Sequence, residues 1–565
     1  MRTSCVLFAF VFVACGPPGR RGDDGSGGPC SDGETRCDGT DFEQCRGGVW
    51  TGVEGCVDGQ SCNPDVGCID GGCAGEIVGN SYLGCDYLAA DLPQWGQSTL
   101  GIATIAADQQ FAIAVANPWP DPITVRVTRN DAPYGQPPLI AEQATVTVAG
   151  DSLQVIPLPQ REVDGFKKGT SDSRSMLGNF AYHVTTSHPA TVYQFNPQNN
   201  PDAYSNDASL LIPYNALDEN YVVLGFPGFG GTKTPIKADN RSYITIAAVR
   251  PTHVRVVPTT HVMAGDGVTA IPPGQTQVFT LDALQTLTLM GDDFSKFGLT
   301  DFSGTRIEAD GPLAVWSGVE CINVVPEGAQ MGCCCDHLEE QLYPRSTLGH
   351  DYVVTRSRVR STGAPEPDVY RIVGVSSTSQ VTTNVPGVGS FTLAKGGVRQ
   401  FEATDSFTVS STGEVLVGQF MVSQDATDTV SGDPSFILVP PIVQWRDEYR
   451  VLVPLGYQTN VLLVSAPAGM PVMVDGIAAS CERHAAGSAG GAAYEGLWCE
   501  VGEGSHLVSG AQPFGVTIVG WGPGPVSYGY TGGMDFERTG GCIDDTGCAP
   551  DEVCSGGECV PPILQ

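Results

Sequence analysis

Four times along the chain an Asp is followed by an apolar run and, six to eight residues on, by a Pro. An extended strand comes next. The openings read Asp86-YLAADL-Pro93, Asp207-ASLLI-Pro213, Asp336-HLEEQLY-Pro344 and Asp433-PSFILV-Pro440. The strands are FAIAVAN (Phe111–Asn117), SYITIAA (Ser242–Ala248), VYRIVGV (Val369–Val375) and NVLLVSA (Asn460–Ala466). Recurrence at a long, roughly fixed period marks a chain of similar units. A second pattern recurs inside each unit: VTTSHPATVYQF, IEADGPLAVWSG, VSSTGEVLVGQF and VSGAQPFGVTIVGW. Pro189, Pro312 and Pro513 interrupt three of these runs, and Gly413-Glu414 the fourth. Each reads as a tight hairpin-like bend.

Strand signals rich in Val, Ile, Thr and aromatic residues fill the chain from Phe111 to Tyr530, separated by Gly, Pro, Asn and Asp. Gly (72) and Pro (41) make up a fifth of the 565 residues, which favours short strands and turns over long helices. The expected fold is all-β: four repeated units built as tandem β-sandwiches of seven or eight strands, with a β-propeller as the alternative.

The net charge of −33 repels phosphate backbones, which argues against a nucleic-acid partner. It serves solubility, and it predicts a neutral or basic partner. The sharper reading is attraction of Ca²⁺ to Asp/Asn pairs such as Asn206-Asp207 or Asp544-Asp545, although no EF-hand loop is present. No other cofactor is implied.

Met1-Arg2 is a short basic start, and Cys5 to Ala14 is an apolar run. Ten helical residues span about 15 Å, half a bilayer core, so residues 1–14 are expected to be a signal peptide. Val13-Ala14-Cys15 resembles a bacterial lipobox, with Phe12 in place of the usual Leu. It implies cleavage before Cys15 and lipidation of its thiol. Residues 15–29 then form a Gly-rich flexible tether. The tether's Arg21-Gly22-Asp23 resembles an integrin-binding tripeptide, a match short enough to arise by chance. The expected location is exported and membrane-anchored at the cell envelope, at the outer membrane or cell surface.

Of 20 Cys, 18 remain once Cys5 and Cys15 are set aside, and they fall into even local groups. Cys30, Cys37, Cys45, Cys56, Cys62, Cys68, Cys73 and Cys85 form one group. The others are Cys321 with Cys333, Cys334 and Cys335; Cys481 with Cys499; and Cys542, Cys548, Cys554 and Cys559. Even groups in an exported chain predict disulfides within each group. Residues 30–78 and 536–565 carry too little apolar content for a core and resemble EGF-like modules, in which disulfides replace it. They flank a repeated domain at 79–535. His337 beside the Cys triplet leaves a metal site as the competing reading there.

Catalytic patterns are lacking. His337-Leu338-Glu339-Glu340 is not the zincin H-E-x-x-H, and no G-x-S-x-G elbow occurs. Gly225–Thr232 is Gly-rich but lacks the Lys of a P-loop, and His183 and His188 fall on opposite faces of a strand. The expectation is a non-catalytic, surface-anchored binding or adhesion lipoprotein for a protein or glycan ligand. The alternatives are a secreted hydrolase with a dispersed site and a structural envelope scaffold. Trp119, Trp316, Trp445 and Trp521 are candidate partner anchors, with half-buried core as the competing reading.

Ala181–Pro197 (AYHVTTSHPATVYQFNP) and Ser205–Pro213 (SNDASLLIP) resemble the amino-terminal domain of the IgGFc-binding protein family. So do Cys335–Pro344 (CDHLEEQLYP), Val472–Gly476 (VMVDG) and Val526–Gly533 (VSYGYTGG). The similarity spans about Gly79 to Gly533 and implies a surface interaction domain. The von Willebrand-type D domains that accompany it in the animal mucus protein are absent from this sequence. The whole layout is similar to bacterial lipoproteins that carry this domain between cysteine-rich segments.

Overall fold

A computed structural model of the chain describes residues 81–539 apart from 97–105, 166–172, 199–204, 229–239, 293, 330–334, 364, 377 and 430, with parts of the two cysteine-rich segments. Four large antiparallel sheets of seven, eight, seven and eight strands follow one another along it. Each unit uses the same parts in the same order. A first strand (Gly84–Ala89, Asp218–Val222, Gly349–Val354, Arg446–Val453) precedes an inner strand (Ala112–Asn117, Ser242–Ala248, Asp368–Gly374, Thr459–Pro467). Later come a long strand (Tyr182–Asn196, Arg306–Ile322, Phe407–Phe420, Gly504–Trp521) and a closing strand (Asp207–Leu210, Asp336–Gln341, Phe436–Leu438, Ser527–Thr531). Inner strands are buried on both faces, hence their largely apolar sequence. Outer ones such as Thr252–Val257 and Thr378–Thr383 bury alternate residues.

The expected hairpin-like bends are bends within the long strands, not hairpins. The front half of each long strand pairs with its first strand. The rear half pairs with the inner strand and the closing strand. One strand thereby serves both layers of a sandwich, as strands do where they turn a corner between sheets. The pairing with the first strand slips in register near the bend in all four units. Pro189, Pro312 and Pro513 stand at this slip, where a missing N–H costs no ladder bond. The architecture is four sandwich-like units, and the propeller alternative is not needed.

A tyrosine braces each bend. Tyr87 donates to the Ala190 carbonyl at 2.6 Å and Tyr221 to that of Leu313 at 2.6 Å. Tyr352 donates to Val415 and Tyr449 to Phe514. In three units the same hydroxyl accepts the amide three residues earlier, from Asp218, Gly349 and Arg446. Each tyrosine follows an acid or amide residue, in CDY, ENY, HDY and DEY.

This sets the true frame of the repeat. Asp86 lies on a first strand, whereas Asp207 and Asp336 lie on closing strands and Asp433 just before one. The four Asp are therefore not equivalent. Leu210, Gln341 and Leu438 occupy one register position, facing Tyr193, Trp316 and Gly418. Asp336 and Asp433 stand five residues before it, and Asp207 three. Pro213, Pro344 and Pro441 lead into short 3-10 turns that link one unit to the next. In the third link the turn-leading proline is Pro441, not Pro440.

The units close on themselves. The closing strand Asp207–Leu210 touches Asp336–Gln341 and Ser527–Thr531, and Phe436–Leu438 touches those same two. Tyr82 at the start and Met534 near the end join by an amide–carbonyl bond of 3.2 Å. The Tyr82 hydroxyl accepts the Arg450 amide at 2.7 Å.

Changing Tyr221 or Tyr352 to Phe leaves a buried carbonyl unpaired and should lower stability by about 1–3 kcal/mol at either position. Denaturant midpoints check this; a wild-type midpoint in both variants would contradict the bracing role.

Candidate binding clefts and a sealed acidic centre

The closing strands bring carboxyls together where few occur. Asp207, Asp336, Glu339, Glu340 and Asp433 are all buried, as is His337. Backbone amides from neighbouring units satisfy several of them. Asp207 Oδ2 accepts from Glu339 at 3.3 Å and Phe436 at 3.2 Å, and its Oδ1 from Ala208 at 3.0 Å. Asp336 Oδ1 accepts from Asn206 at 2.5 Å, Glu340 Oε1 from Leu438 at 3.3 Å, and Gln341 Oε1 from Ile212 at 2.8 Å. Glu339 Oε1 takes Gln194 and Ser209, both at 3.1 Å. Burial pushes the carboxyls of Asp207, Asp336, Glu340 and Asp433 well above their usual range, and neighbouring carboxylates add to it. None of these residues lines the open clefts below, and the cluster acts as a joint between units.

The clefts lie at seams. One of about 520 Å³ sits between the third and fourth units, lined among others by Pro365, Pro367, Pro386, Phe407 and Ala485. Its rim carries Asp405. Another of about 520 Å³ separates the first cysteine-rich segment from the second unit, with Arg46, Arg250, His253, Asp282 and Asp310 in its walls. A third, of about 310 Å³, holds His350, Val443 and Tyr494. In the second cleft His253 Nδ1 lies 2.7 Å from Asp310 Oδ2, while Thr252 Oγ1 donates to Asp310 Oδ1 at 2.6 Å. Partial burial pushes Asp310 up, but the bonds from Thr252 and His253 outweigh it and hold its carboxyl below the usual range. Thr252 is bound to the acid of this trio and not to the imidazole, so the three do not form a nucleophile–base–acid relay.

Several expected site residues are now placed. Disulfides join Cys30 to Cys45, Cys73 to Cys85, Cys321 to Cys335 and Cys481 to Cys499. Cys68 is also disulfide-bonded. The Cys73–Cys85 bond fastens the amino-terminal segment to the first strand of the first unit. Cys15, Cys37, Cys56, Cys62, Cys333, Cys334, Cys542, Cys548, Cys554 and Cys559 lie outside the described side chains, as do Arg21-Gly22-Asp23 and Asp544-Asp545. His337 stacks on Tyr243 at 6.0 Å, and Cys335 is bonded to Cys321, so the Cys335–His337 pair holds no metal. Among the described residues no three His, Cys, Asp or Glu converge on a metal position. His183 binds Asp86 at 2.9 Å, and the His188 ring lies against Trp119, so the two do not meet. Trp316, Trp445 and Trp521 are core residues, and half-buried Trp119 donates to the Pro189 carbonyl at 2.7 Å. Trp316, Trp445 and Trp521 therefore serve packing.

A second acidic group spans the first two units. Asp91 Oδ2 accepts the Arg161 amide at 2.6 Å, Glu162 Oε1 that of Gln94 at 2.7 Å, and Glu320 Oε2 that of Arg241 at 2.5 Å. Burial first, then repulsion from Asp164, pushes Asp91 up to about 7 and Glu320 to about 8; Glu162 is also well above its usual value. These carboxyls keep their protons in the fold but ionise near pH 4 when unfolded. The folded state then binds more protons, so stability declines as pH rises through 7 and 8. Melting temperature should fall between about pH 5 and pH 8, and Asp91→Asn with Glu320→Gln should flatten the slope. A rise over that window would contradict the assignment.

A family model described as IgGFc binding protein matches residues 207–520, more than half of the chain. The match runs from the closing strand of the first unit to the end of the long strand of the fourth. The human IgGFc-binding protein is 26% identical over 261 residues, covering 46% of this chain and 4% of the human protein. The chain therefore spans a small fraction of that relative's length. By the match over units that share one strand plan, the chain belongs to the IgGFc-binding protein family.

Proposed function

We propose that this chain is a non-catalytic binding protein that meets a protein partner at its unit seams. The observation that carries the reading is the contrast between its two kinds of polar site. The carboxyl clusters are sealed between strands, whereas the open clefts lie at seams and are lined by mixed polar and apolar groups, with Pro365, Pro367 and Pro386 in the one between the third and fourth units. Clefts between rigid units suit recognition, and the relative's printed name, IgGFc-binding, is that of a binder. The acidic chain favours a neutral or basic partner. Export and lipid attachment at Cys15, which would place the seams at the cell envelope, rest on the sequence of residues 1–29.

Pull-down of surface proteins by the purified chain tests this against a variant carrying Pro386→Arg and Ala485→Arg, which fill the cleft between the third and fourth units. The expected result is a captured protein that the variant loses at unchanged melting temperature. Equal capture by both, or turnover of a peptide, glycan or ester substrate, would contradict it. Cys15→Ser should move the protein from the membrane fraction to the soluble one; unchanged fractionation would exclude lipid anchoring.

A further inference from the structure

We propose that Asp336 and Asp433 hold a divalent cation of the calcium type where the second and third units meet. The starting observation is a set of buried oxygens without hydrogen-bond partners. Asp336 Oδ2, both carboxyl oxygens of Asp433, the Gln424 amide oxygen and the Ser423 hydroxyl are all in this state. Asp336, Asp433 and Ser423 are completely buried, and Gln424 is 8% exposed. Orphaned polar atoms are rare in folded chains, and an unseen ion is one of the few explanations for them.

These atoms belong to one neighbourhood. Asp433 is the strongest charge acting against Asp336. The segment 421–424 runs alongside Asp433–Ser435, with the Met421 amide donating to the Ser435 carbonyl at 3.1 Å, so the Asp433 carboxyl meets the backbone amide of Gln424 and feels Asp425, which is exposed beside it. Ser423, at the start of this segment, donates its amide to the Val324 carbonyl of the second unit at 2.8 Å. The segment Ser423–Asp425 thus bridges the two units next to the paired acids and leads outward from them.

Arg360 is the cation that acts on Asp433. Its guanidinium is committed elsewhere, to Glu366 Oε1 at 2.7 Å, the Val422 carbonyl at 2.6 Å and the Ser431 carbonyl at 3.4 Å. Glu366 already offsets its charge. Two carboxylates are left without a counter-ion in a dry place, and a divalent cation balances them. An all-oxygen set of two carboxylates, an amide oxygen and a hydroxyl is hard-cation chemistry. Carbonyls or water complete the shell. Magnesium, which gives up its water reluctantly, suits so enclosed a place less well than calcium. The site needs no third acidic side chain. Asp207 is not part of it, because backbone amides already occupy both its oxygens.

The test uses the full chain stripped with a chelator. Terbium is added as a luminescent calcium substitute, with Tyr457, whose hydroxyl lies near Asp336, as a sensitiser. Melting temperature is followed with calcium and with magnesium. The expected result is one saturable terbium ion displaced by calcium and not by magnesium, with a melting temperature that rises with calcium. The double variant Asp336→Asn with Asp433→Asn should lose both responses while keeping its circular dichroism. If that variant does not fold, Gln424→Leu should weaken terbium binding several-fold. No saturable binding, or binding that these substitutions leave unchanged, would overturn the proposal. So would a double Asn variant more stable than wild type when wild type shows no response to calcium, because the acids would then share a proton and not an ion.

Discussion

The carboxyl-to-amide bonds between closing strands are the constraint on which the arrangement of the four units depends. Asp207 on the first closing strand reaches amides on the second and third, and Asp336 and Glu340 on the second reach the first and third. The fourth joins through Asn206, which donates to the Ser527 carbonyl at 3.2 Å, and through Tyr343, whose hydroxyl lies 2.7 Å from that of Thr531. A buried carboxyl left unpaired costs more than a made hydrogen bond contributes, about 1 kcal/mol net. The units are therefore held less by the strength of each bond than by the penalty of separating donors from acceptors that nothing else nearby can satisfy. Buried networks of this kind specify one arrangement over others.

Within a unit the corresponding constraint is the bent strand. Serving two layers with one strand lets a unit close with seven or eight strands, but it breaks the ladder at the bend. The first-strand tyrosine repairs that break, because its hydroxyl supplies the stray carbonyl in every unit and takes a stray amide in three of them. The closing strand can then follow the rear half of the long strand into the centre, where every residue of Asp207–Leu210 and Asp336–Gln341 is buried. A polar side chain there must find its partner in another unit.

Much of this fold was legible in the sequence. The inner strands stand within one or two residues of where runs rich in Val, Ile, Leu and Ala put them, because burial on both faces leaves a local composition signal. The bends were located but misread. A polar pair or a Pro inside an apolar run looks the same whether the chain reverses or only bends, and the difference lies in partners far along the chain, such as Ile123–Asn130 and Gly84–Ala89 for the strand Tyr182–Asn196. The Asp frame misled for a related reason. Side chains two residues apart on a strand share a face, so Asp207 and Asp336 look equivalent although their registers differ. The tyrosines were the better marker, each preceded by an acid or amide residue. The sealed carboxyls were hidden because acidic residues are seldom fully buried, and His337-Leu338-Glu339-Glu340 was weighed only as a metal motif. The seam clefts had no sequence signal, since each draws its walls from distant parts of the chain.

The four sandwich units form one closed body and not beads on a string. Scanning calorimetry with native-state hydrogen exchange tests it most directly. The expected result is one cooperative transition whose calorimetric and van't Hoff enthalpies agree, with the slowest exchange at the closing strands Asp207–Leu210, Asp336–Gln341, Phe436–Leu438 and Ser527–Thr531. Separate transitions for individual units, with closing-strand amides exchanging as fast as those of outer strands, would contradict it.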